Sequence, residues 1–380
     1  MPGCSEYRAR YRILDTDLSL SSDAEQLLEL FDRDYGAFRT AEADRPADLR
    51  IQARFSGSDG PGIRFQRATG GCDGSAREGA EPLDGHPTPV HRAWQWATQA
   101  LFDSLGDYLL LHAAVLVRDG RALVLSGPPG TGKTTMALAL ARKGFTLYSD
   151  EVCPIRRLTG RVHAFPRSLW VVSGRPALAG SRSAGRGRAK EPVAPEAVNG
   201  PVGCSDTATL GVLVVLDPGP GAGEAKRLVI GARDPGWKPL IEAIRGLHAG
   251  VSVHRPRPGV AEFHVDYPPG EGLSTRIASL LHRHRNDLLN AFTQEAARPD
   301  FRRVPALDPI PAHLAAFGLL PGLKQRVEDA DRGAAGRMTE LIGYLGPAAC
   351  YRLMVGRLEE QVALLDQLMP HRDSPEKEKA

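Results

Sequence analysis

A glycine-rich segment in the first half of the chain constrains its fold more than any other feature. Residues 127–134 read Gly-Pro-Pro-Gly-Thr-Gly-Lys-Thr, which fits the phosphate-binding-loop pattern G-x-x-x-x-G-K-[ST]. The apolar run before it, residues 122–126, predicts a strand, and residues 134–142 after it predict a helix. Because strand, loop and helix in this order are the setting of a true P-loop, we favour that interpretation over a chance Gly/Pro turn before Lys-Thr.

Each part of this motif has a role in holding a nucleoside triphosphate. Glycines let the backbone wrap around a phosphate with its N–H groups pointing inward, and the positive end of the following helix faces the same phosphates. Lys133 supplies charge to the outer phosphates, and the Thr134 hydroxyl can bind Mg²⁺. The sequence contains no guanine-reading Asn-Lys-x-Asp, so we predict ATP with Mg²⁺. The predicted nucleotide-binding residues are Gly127, Gly130, Thr131, Gly132, Lys133, Thr134 and Thr135.

Two adjacent acids are the first candidates for binding the metal and for accepting the proton of an attacking hydroxyl. Asp150 and Glu151 follow a predicted strand over residues 145–149, and the carboxyl ends of strands in a doubly wound sheet face the ligand crevice. Neighbouring side chains on an extended chain point apart, so Glu151 shares the site only if the chain bends, and otherwise caps a turn. Asp217, after the apolar run 210–216, is a second candidate, although Asp-Pro-Gly also predicts a turn.

The remainder of the chain predicts a modular organisation. Residues 1–89 predict a small α+β N-terminal unit, residues 90–298 the P-loop domain, and residues 299–370 a helical C-terminal extension. The charged residues 371–380 predict a disordered tail.

Four further segments carry element predictions. An apolar stretch at 108–117 predicts one strand, and the Gly-, Arg-, Ala- and Pro-rich stretch 173–199 predicts a long exposed loop. Residues 274–292 predict a long helix, and residues 346–368 are amphipathic at helical spacing.

Composition excludes several classes of protein. The 48 basic and 45 acidic side chains nearly cancel, which gives no support to nucleic-acid or membrane binding. No stretch approaches the length of a membrane span, and the first residues lack the apolar run of a signal peptide. The five cysteines are scattered without a C-x-x-C pair, which argues against a disulfide framework or a zinc site and fits a reducing cytoplasm.

Several short stretches carry a family resemblance: His112-Ala-Ala-Val, Leu123-Val-Leu-Ser-Gly, the P-loop, Gly144, Ser149-Asp150-Glu151 and Phe165-Pro166-Arg167. Through them, residues 111–170 resemble the HPr kinase-like proteins, and more closely the HPr kinase-related kinases of bacterial biosynthetic clusters. The resemblance implies an α/β fold with a P-loop sheet of the HPr kinase/phosphoenolpyruvate carboxykinase type.

This resemblance implies roles for single residues. His112 would line the phosphate site, although a histidine beside apolar residues is commonly a core histidine. Asp150 would act as general base and metal ligand, beside Glu151, which replaces the second acid of an Asp-Asp pair. Arg167 would contact phosphate or acceptor.

The activity implied is an ATP-dependent kinase that phosphorylates a serine of a small protein or peptide. The Gly- and Arg-containing stretch that HPr kinase/phosphorylase carries after its acidic pair is absent, so neither phosphorylase activity nor HPr itself is implied. Family members often assemble, which allows a homo-oligomer. The alternatives are a small-molecule kinase, a non-catalytic ATP-binding switch or scaffold, and an ATPase motor, for which the sequence identifies no sensor arginine.

Overall fold

The computed structural model gives a mixed α/β protein with a multi-stranded central sheet, which fits a P-loop NTPase fold. It describes residues 6–41, 46–56, 62–67, 77–82, 89–172, 190–193, 196–199, 202–219, 223–233, 237–246, 250–257, 260–267, 276, 280, 288–324 and 334–370. Among these residues, no helix has both the length and the apolarity needed to cross a membrane. The predicted tail 371–380 lies outside the described residues.

Among the described residues, strands outnumber helices. The strands are β1 (Tyr7–Ile13), β2 (Thr16–Ser22), β3 (Leu49–Arg54), β4 (Gly62–Arg67), β5 (Arg77–Pro82), β6 (Tyr108–Leu111), β7 (Ala113–Arg118), β8 (Arg121–Ser126), β9 (Thr146–Ser149), β10 (Cys153–Arg156), β11 (Arg161–His163), β12 (Leu169–Val172), β13 (Lys190–Val193), β14 (Thr207–Asp217), β15 (Gly223–Arg233), β16 (Gly250–Arg257), β17 (Val260–Tyr267), β18 (Leu288–Arg298), β19 (Ala306–Pro309) and β20 (Ala349–Met354). The helices are α1 (Glu25–Tyr35), α2 (Pro89–Ser104), α3 (Lys133–Ala141), α4 (Glu196–Asn199), α5 (Trp237–Arg245), α6 (Ala312–Leu319), α7 (Ala334–Leu345) and α8 (Leu358–Leu368).

The P-loop strand β8 lies inside a nine-stranded sheet. It pairs in parallel with β14, which pairs in parallel with β20, and it pairs antiparallel with β7. Strand β9 is also antiparallel to β7, so β9 and β8 run in the same direction with β7 between them. The carboxyl ends of β8, β9, β14 and β20 therefore meet at one edge of the sheet, where ligands bind in such folds.

Two neighbouring chain segments bend at the same level of this sheet. The predicted strand 108–117 is divided at His112 into β6 and β7. Beside it, Asp150 and Glu151 separate β9, which pairs with β7, from β10, which pairs with β6. The backbone N–H of Ala113 donates to the Glu151 carbonyl across 3.2 Å, which ties the two bends together. The structure thus supplies the bend that Glu151 needs to approach the site.

Apolar side chains of the buried strands alternate between the two faces of the sheet, and both faces are packed. Val124 and Leu213 belong to an apolar core with the side chains of α6 and α7. Leu123 and Leu125, one residue along β8, point to the other face. Helix α3 packs on β7 and β9 and against α8. The P-loop is consequently anchored between a buried strand and a covered helix.

Several element predictions are wrong in part. The C-terminal region is not all helical, because β19 and β20 join the nine-stranded sheet, and only α8 remains of the predicted helix 346–368. Residues 288–292 begin strand β18, next to β15 in a four-stranded sheet, so sheet pairing overrides their helical pattern. The rest of that predicted helix lies largely outside the described residues. The predicted loop 173–199 contains β13 and α4, and residues 173–189 lie outside the described part.

Chain contacts divide the protein into two compact units with interleaved segments. The first unit comprises Met1–Gly106, Arg167–Val193 and Glu224–Ala296, and holds the five-stranded sheet β1–β5 with α1 and α2. The second, which we call the P-loop unit, comprises Asp107–Pro166, Ala194–Gly223 and Ala297–Ala380. The boundaries at residues 89 and 298 remain predictions.

Candidate functional site

The phosphate-binding loop has the backbone geometry that its glycines allow. Gly130 and Gly132 have φ angles of 88° and 87°, in the left-handed region that side-chain-bearing residues rarely adopt. Gly127 packs against β14, where an added Cβ would lie 2.7 Å from the Leu216 Cβ. The buried Thr131 hydroxyl donates to the Pro128 carbonyl across 2.8 Å, which closes the loop. Thr135 lies in the first turn of α3.

Lys133 begins helix α3 and is buried inside the loop, with 8% of its surface exposed. Its Nζ donates to the Gly127 carbonyl across 2.7 Å and to the Pro128 carbonyl across 3.3 Å. Burial, and then the nearby Lys324, lower the pKa of Lys133 to about 8. The ammonium group is therefore mostly charged at pH 7 and is held on the inner side of the loop.

Thr134 and Asp150 are brought together as the metal prediction requires. The Thr134 Oγ1 donates to the Asp150 Oδ2 across 3.2 Å, from the first turn of α3 to the end of β9. A hydroxyl and a carboxylate side by side are oxygen donors that suit Mg²⁺, which takes its remaining ligands from phosphates and water. Within the part of the chain that the structure describes, no cluster of three or more His, Cys, Asp or Glu side chains could hold a metal alone. The pair would hold Mg²⁺ together with a bound nucleotide.

Glu151 is turned toward a lysine that the sequence analysis missed. Its Oε1 lies 3.1 Å from the Nζ of Lys324, in the P-loop unit. The Ser149 hydroxyl accepts the backbone N–H groups of Glu151 and Val152 across 3.3 and 3.0 Å, and so stabilises the bend. Glu151 thus lies at the site as the partner of a partly exposed cation. A lysine in the short run Gly-Leu-Lys carries no local signal that could have found it.

His112 occupies the bend between β6 and β7 as a neutral side chain. Its Nδ1 lies 3.1 Å from the Glu151 carbonyl oxygen, and because a carbonyl only accepts, Nδ1 carries the proton. Burial, then the charges of Lys324 and Lys133, lower the pKa of His112 to about 4. The Nε2 atom is consequently an unprotonated acceptor at neutral pH. His112 is close enough to both lysines to belong to the same site.

The second acid candidate has a different role. Asp217 ends β14, beside the P-loop strand, and its Oδ1 accepts the backbone N–H of Gly219 across 2.8 Å. This is the turn-forming role that Asp-Pro-Gly predicts. Asp150, not Asp217, is the acid that contacts the Thr134 hydroxyl.

Arg167 belongs to the first unit, not to the P-loop unit. It is 7% exposed, its Nη2 lies 3.1 Å from the buried Asp34 Oδ2, and its guanidinium stacks over the Tyr35 ring. Removing either Arg167 or Asp34 alone would leave the other buried charge without its partner, which is strongly destabilising. The predicted contact of Arg167 with phosphate or acceptor remains a prediction.

Comparison with known families supports the P-loop segment. Residues 123–160 match the family model of the ATPase family associated with various cellular activities (AAA). The matched segment runs from β8 through the P-loop and α3 to Asp150 and Glu151, and it supports ATP binding by a P-loop NTPase-type site. No curated protein matches the chain.

Proposed function

We propose that this chain is an ATP-dependent kinase of the HPr kinase-related type that phosphorylates a serine hydroxyl of a small protein or peptide. The observation that carries the proposal is the 3.2 Å contact between the Thr134 hydroxyl and the Asp150 carboxylate at the mouth of the P-loop. Phosphoryl transfer asks mainly for positioning and charge stabilisation, and a P-loop with an adjacent acid provides both.

The residues divide these tasks by their chemistry. Lys133 and the N–H groups of the loop bind the phosphates, and Thr134 and Asp150 hold Mg²⁺, which neutralises developing charge when it is bound. The second function of Asp150 is to accept the proton of the attacking hydroxyl, as the family resemblance implies. His112, neutral with Nε2 unprotonated, lines the site without adding charge.

Simple ATP hydrolysis is the second candidate, because the matched family is one of ATPases. In a hydrolase, the Asp150 carboxylate would orient water in place of a serine hydroxyl. A small-molecule kinase uses the same loop and acid, and a nucleotide switch would bind ATP without turnover. These functions therefore differ in which molecule, if any, accepts the phosphoryl group.

The test is transfer of label from γ-labelled ATP, with Mg²⁺, to small proteins and peptides encoded beside the gene. Label on a serine that disappears in Asp150→Asn supports the kinase. The Asn side chain can still accept the hydrogen bond from Thr134, so the variant changes charge more than shape. Asp308→Asn, an exposed acid at the end of β19, is the matched control and keeps full transfer.

Each other outcome points elsewhere. Release of labelled phosphate with no labelled acceptor favours the ATPase, and ATP consumption only with added metabolites favours the small-molecule kinase. Binding without turnover favours the switch. Full transfer by Asp150→Asn, with loss in Asp217→Asn, would move the metal and base roles to Asp217.

A further inference from the structure

Residues 322–324 are hydrogen-bonded through their backbone to β6, the strand that leads to His112. The N–H of His112 donates to the Gly322 carbonyl across 2.7 Å, and the N–H of Lys324 donates to the Leu110 carbonyl across 3.0 Å. Leu323 forms a bridge with Leu111 between these two bonds. The backbone alone therefore fixes the position of Lys324 on β6, next to the bend.

The Lys324 side chain reaches back into the site from this anchored position. Its Nζ lies 3.1 Å from the Glu151 Oε1, and the two side chains are 24% and 37% exposed. Glu151 directly follows Asp150, whose carboxylate accepts a hydrogen bond from the Thr134 hydroxyl, so the Lys324–Glu151 ion pair lies one residue from the acid at the P-loop. The charge of Lys324 also lowers the pKa of both Lys133 and His112.

Stability does not explain this arrangement. A partly exposed ion pair contributes little to stability, and the backbone bonds already hold the segment in place. Bringing a second cation toward Lys133 opposes folding, since like charges repel. The arrangement becomes favourable when a polyanion lies between the two lysines, as at sites built to bind phosphate groups.

We propose that Lys324 is a second phosphate-binding lysine of this site, which contacts the terminal phosphate of the bound nucleoside triphosphate. Lys133 is held at the base of the loop, and Lys324 approaches from the β6 side with Glu151 as its partner when no phosphate is bound. In the transfer step, Lys324 stabilises the charge on the phosphoryl group as the bond to the leaving diphosphate breaks and that to the acceptor oxygen forms. This last step rests on the proposed function, whereas the binding contact does not.

The binding contact is tested with Lys324→Gln, using a non-hydrolysable ATP analogue and ADP with Mg²⁺ in calorimetry. Losing a charge-assisted contact to the terminal phosphate weakens analogue binding about tenfold or more and ADP binding less than twofold. Lys324→Arg retains most of the preference for the triphosphate. Lys143→Gln, which removes an exposed lysine after α3, is the matched control and leaves both affinities unchanged.

The other outcomes overturn the assignment. If Lys324→Gln weakens the binding of both nucleotides equally, Lys324 supports the fold of the loop. If neither affinity changes, Lys324 only pairs with Glu151. Thermal unfolding shows whether the Gln variant is folded, and Lys324→Met, which keeps the aliphatic stem, replaces it if it is not. A wild-type protein that transfers no phosphoryl group overturns the kinase, while the ratio of the two affinities still decides the role of Lys324.

Discussion

The hydroxyl of Thr134 donates a hydrogen bond to the carboxylate of Asp150 across 3.2 Å, although the first residue lies in a helix and the second follows a strand. Thr134 lies in the first turn of α3, and Asp150 follows β9, which is separated from the P-loop strand by β7. The contact therefore depends on the strand order as well as on the motif. Through this contact, the carboxylate of Asp150 lies beside the P-loop.

Removing the hydroxyl of Thr134 tests this pairing. Thr134→Val keeps the shape of the side chain but removes the proposed metal ligand, so we expect turnover to fall on the order of 10²-fold. The stimulation of ATP binding by Mg²⁺, measured by calorimetry with and without the metal, also falls. Thr209→Val, at an exposed position of β14, leaves both unchanged. A Thr134→Val protein with normal dependence on Mg²⁺ would remove Thr134 from the metal site.

Lys133→Met is expected to lower turnover by about 10²- to 10³-fold, because a charge at the transferred phosphate is lost. We expect no loss in the free energy of unfolding, because the desolvation cost of the buried ammonium group offsets its two hydrogen bonds to the Gly127 and Pro128 carbonyls. Calorimetry for ATP and urea unfolding measure the two effects. Lys143→Met is the matched control, and a destabilised Lys133→Met protein would contradict the predicted trade between stability and function.

Gly127→Ala is expected to impair the loop through a steric clash. The new Cβ would lie 2.7 Å from the Leu216 Cβ and 2.9 Å from the Leu216 carbonyl oxygen, distances that backbone movement must relieve. We expect ATP affinity to fall at least tenfold with a loss of about 1 to 3 kcal/mol in unfolding free energy. Gly343→Ala in α7, where a Cβ would meet nothing within 4 Å, is the control. Unchanged ATP affinity would show that the loop tolerates displacement from β14.

The depressed pKa of His112 predicts how stability depends on pH. Unfolding restores a pKa near 6.5, whereas the folded protein holds it near 4, so between these values only the unfolded chain binds the proton. Stability is therefore lost as pH falls from about 6.5 to about 4, by up to about 3 kcal/mol from this group.

His112→Asn tests that dependence. Its amide can still donate to the Glu151 carbonyl, but it does not titrate. Urea unfolding at pH 7 and pH 5 gives a smaller difference for the variant than for the wild type. The same difference in both proteins would mean that other groups set the acid sensitivity.

Arg118 links three segments of the P-loop unit, and its loss is expected to destabilise them. Its side chain is 4% exposed and donates to the Asp366 carboxylate at 2.8 Å and to the carbonyls of Met369 and Lys143 at 2.7 and 2.6 Å. Arg118→Met leaves these acceptors without their donor and costs about 1 to 3 kcal/mol, measured by urea unfolding. Arg142→Met, at an exposed position, costs less than about 0.5 kcal/mol. A cost below 1 kcal/mol for Arg118→Met would show that water replaces the guanidinium.

Local patterns predicted the loop and the acid that the structure places against Thr134. The glycines, Lys133 and Thr134 occupy one continuous motif, and Asp150 follows the next strand at the edge where parallel strands end. His112 was identified from the family resemblance, and its bend was not foreseen, because a run of apolar residues gives no sign of where a strand breaks.

Long-range pairing explains what was missed. Residues 349–354 share the helical spacing of α8, yet they form β20 because β14 offers a parallel partner. Lys324 reaches the site through backbone bonds to β6, more than two hundred residues earlier in the chain. Neither effect is visible within a window of neighbouring residues.

The backbone pairing of residues 322–324 with β6 determines when the site can be completed during synthesis. A growing polypeptide leaves the ribosome with its N-terminus first, so the P-loop emerges well before Lys324 does. At about 5 to 20 residues per second, that interval lasts on the order of ten seconds or more. During this interval, a nascent chain that has formed the loop lacks both the bridge to Leu111 and the lysine beside Glu151. Translation thereby separates assembly of the phosphate loop from completion of the site.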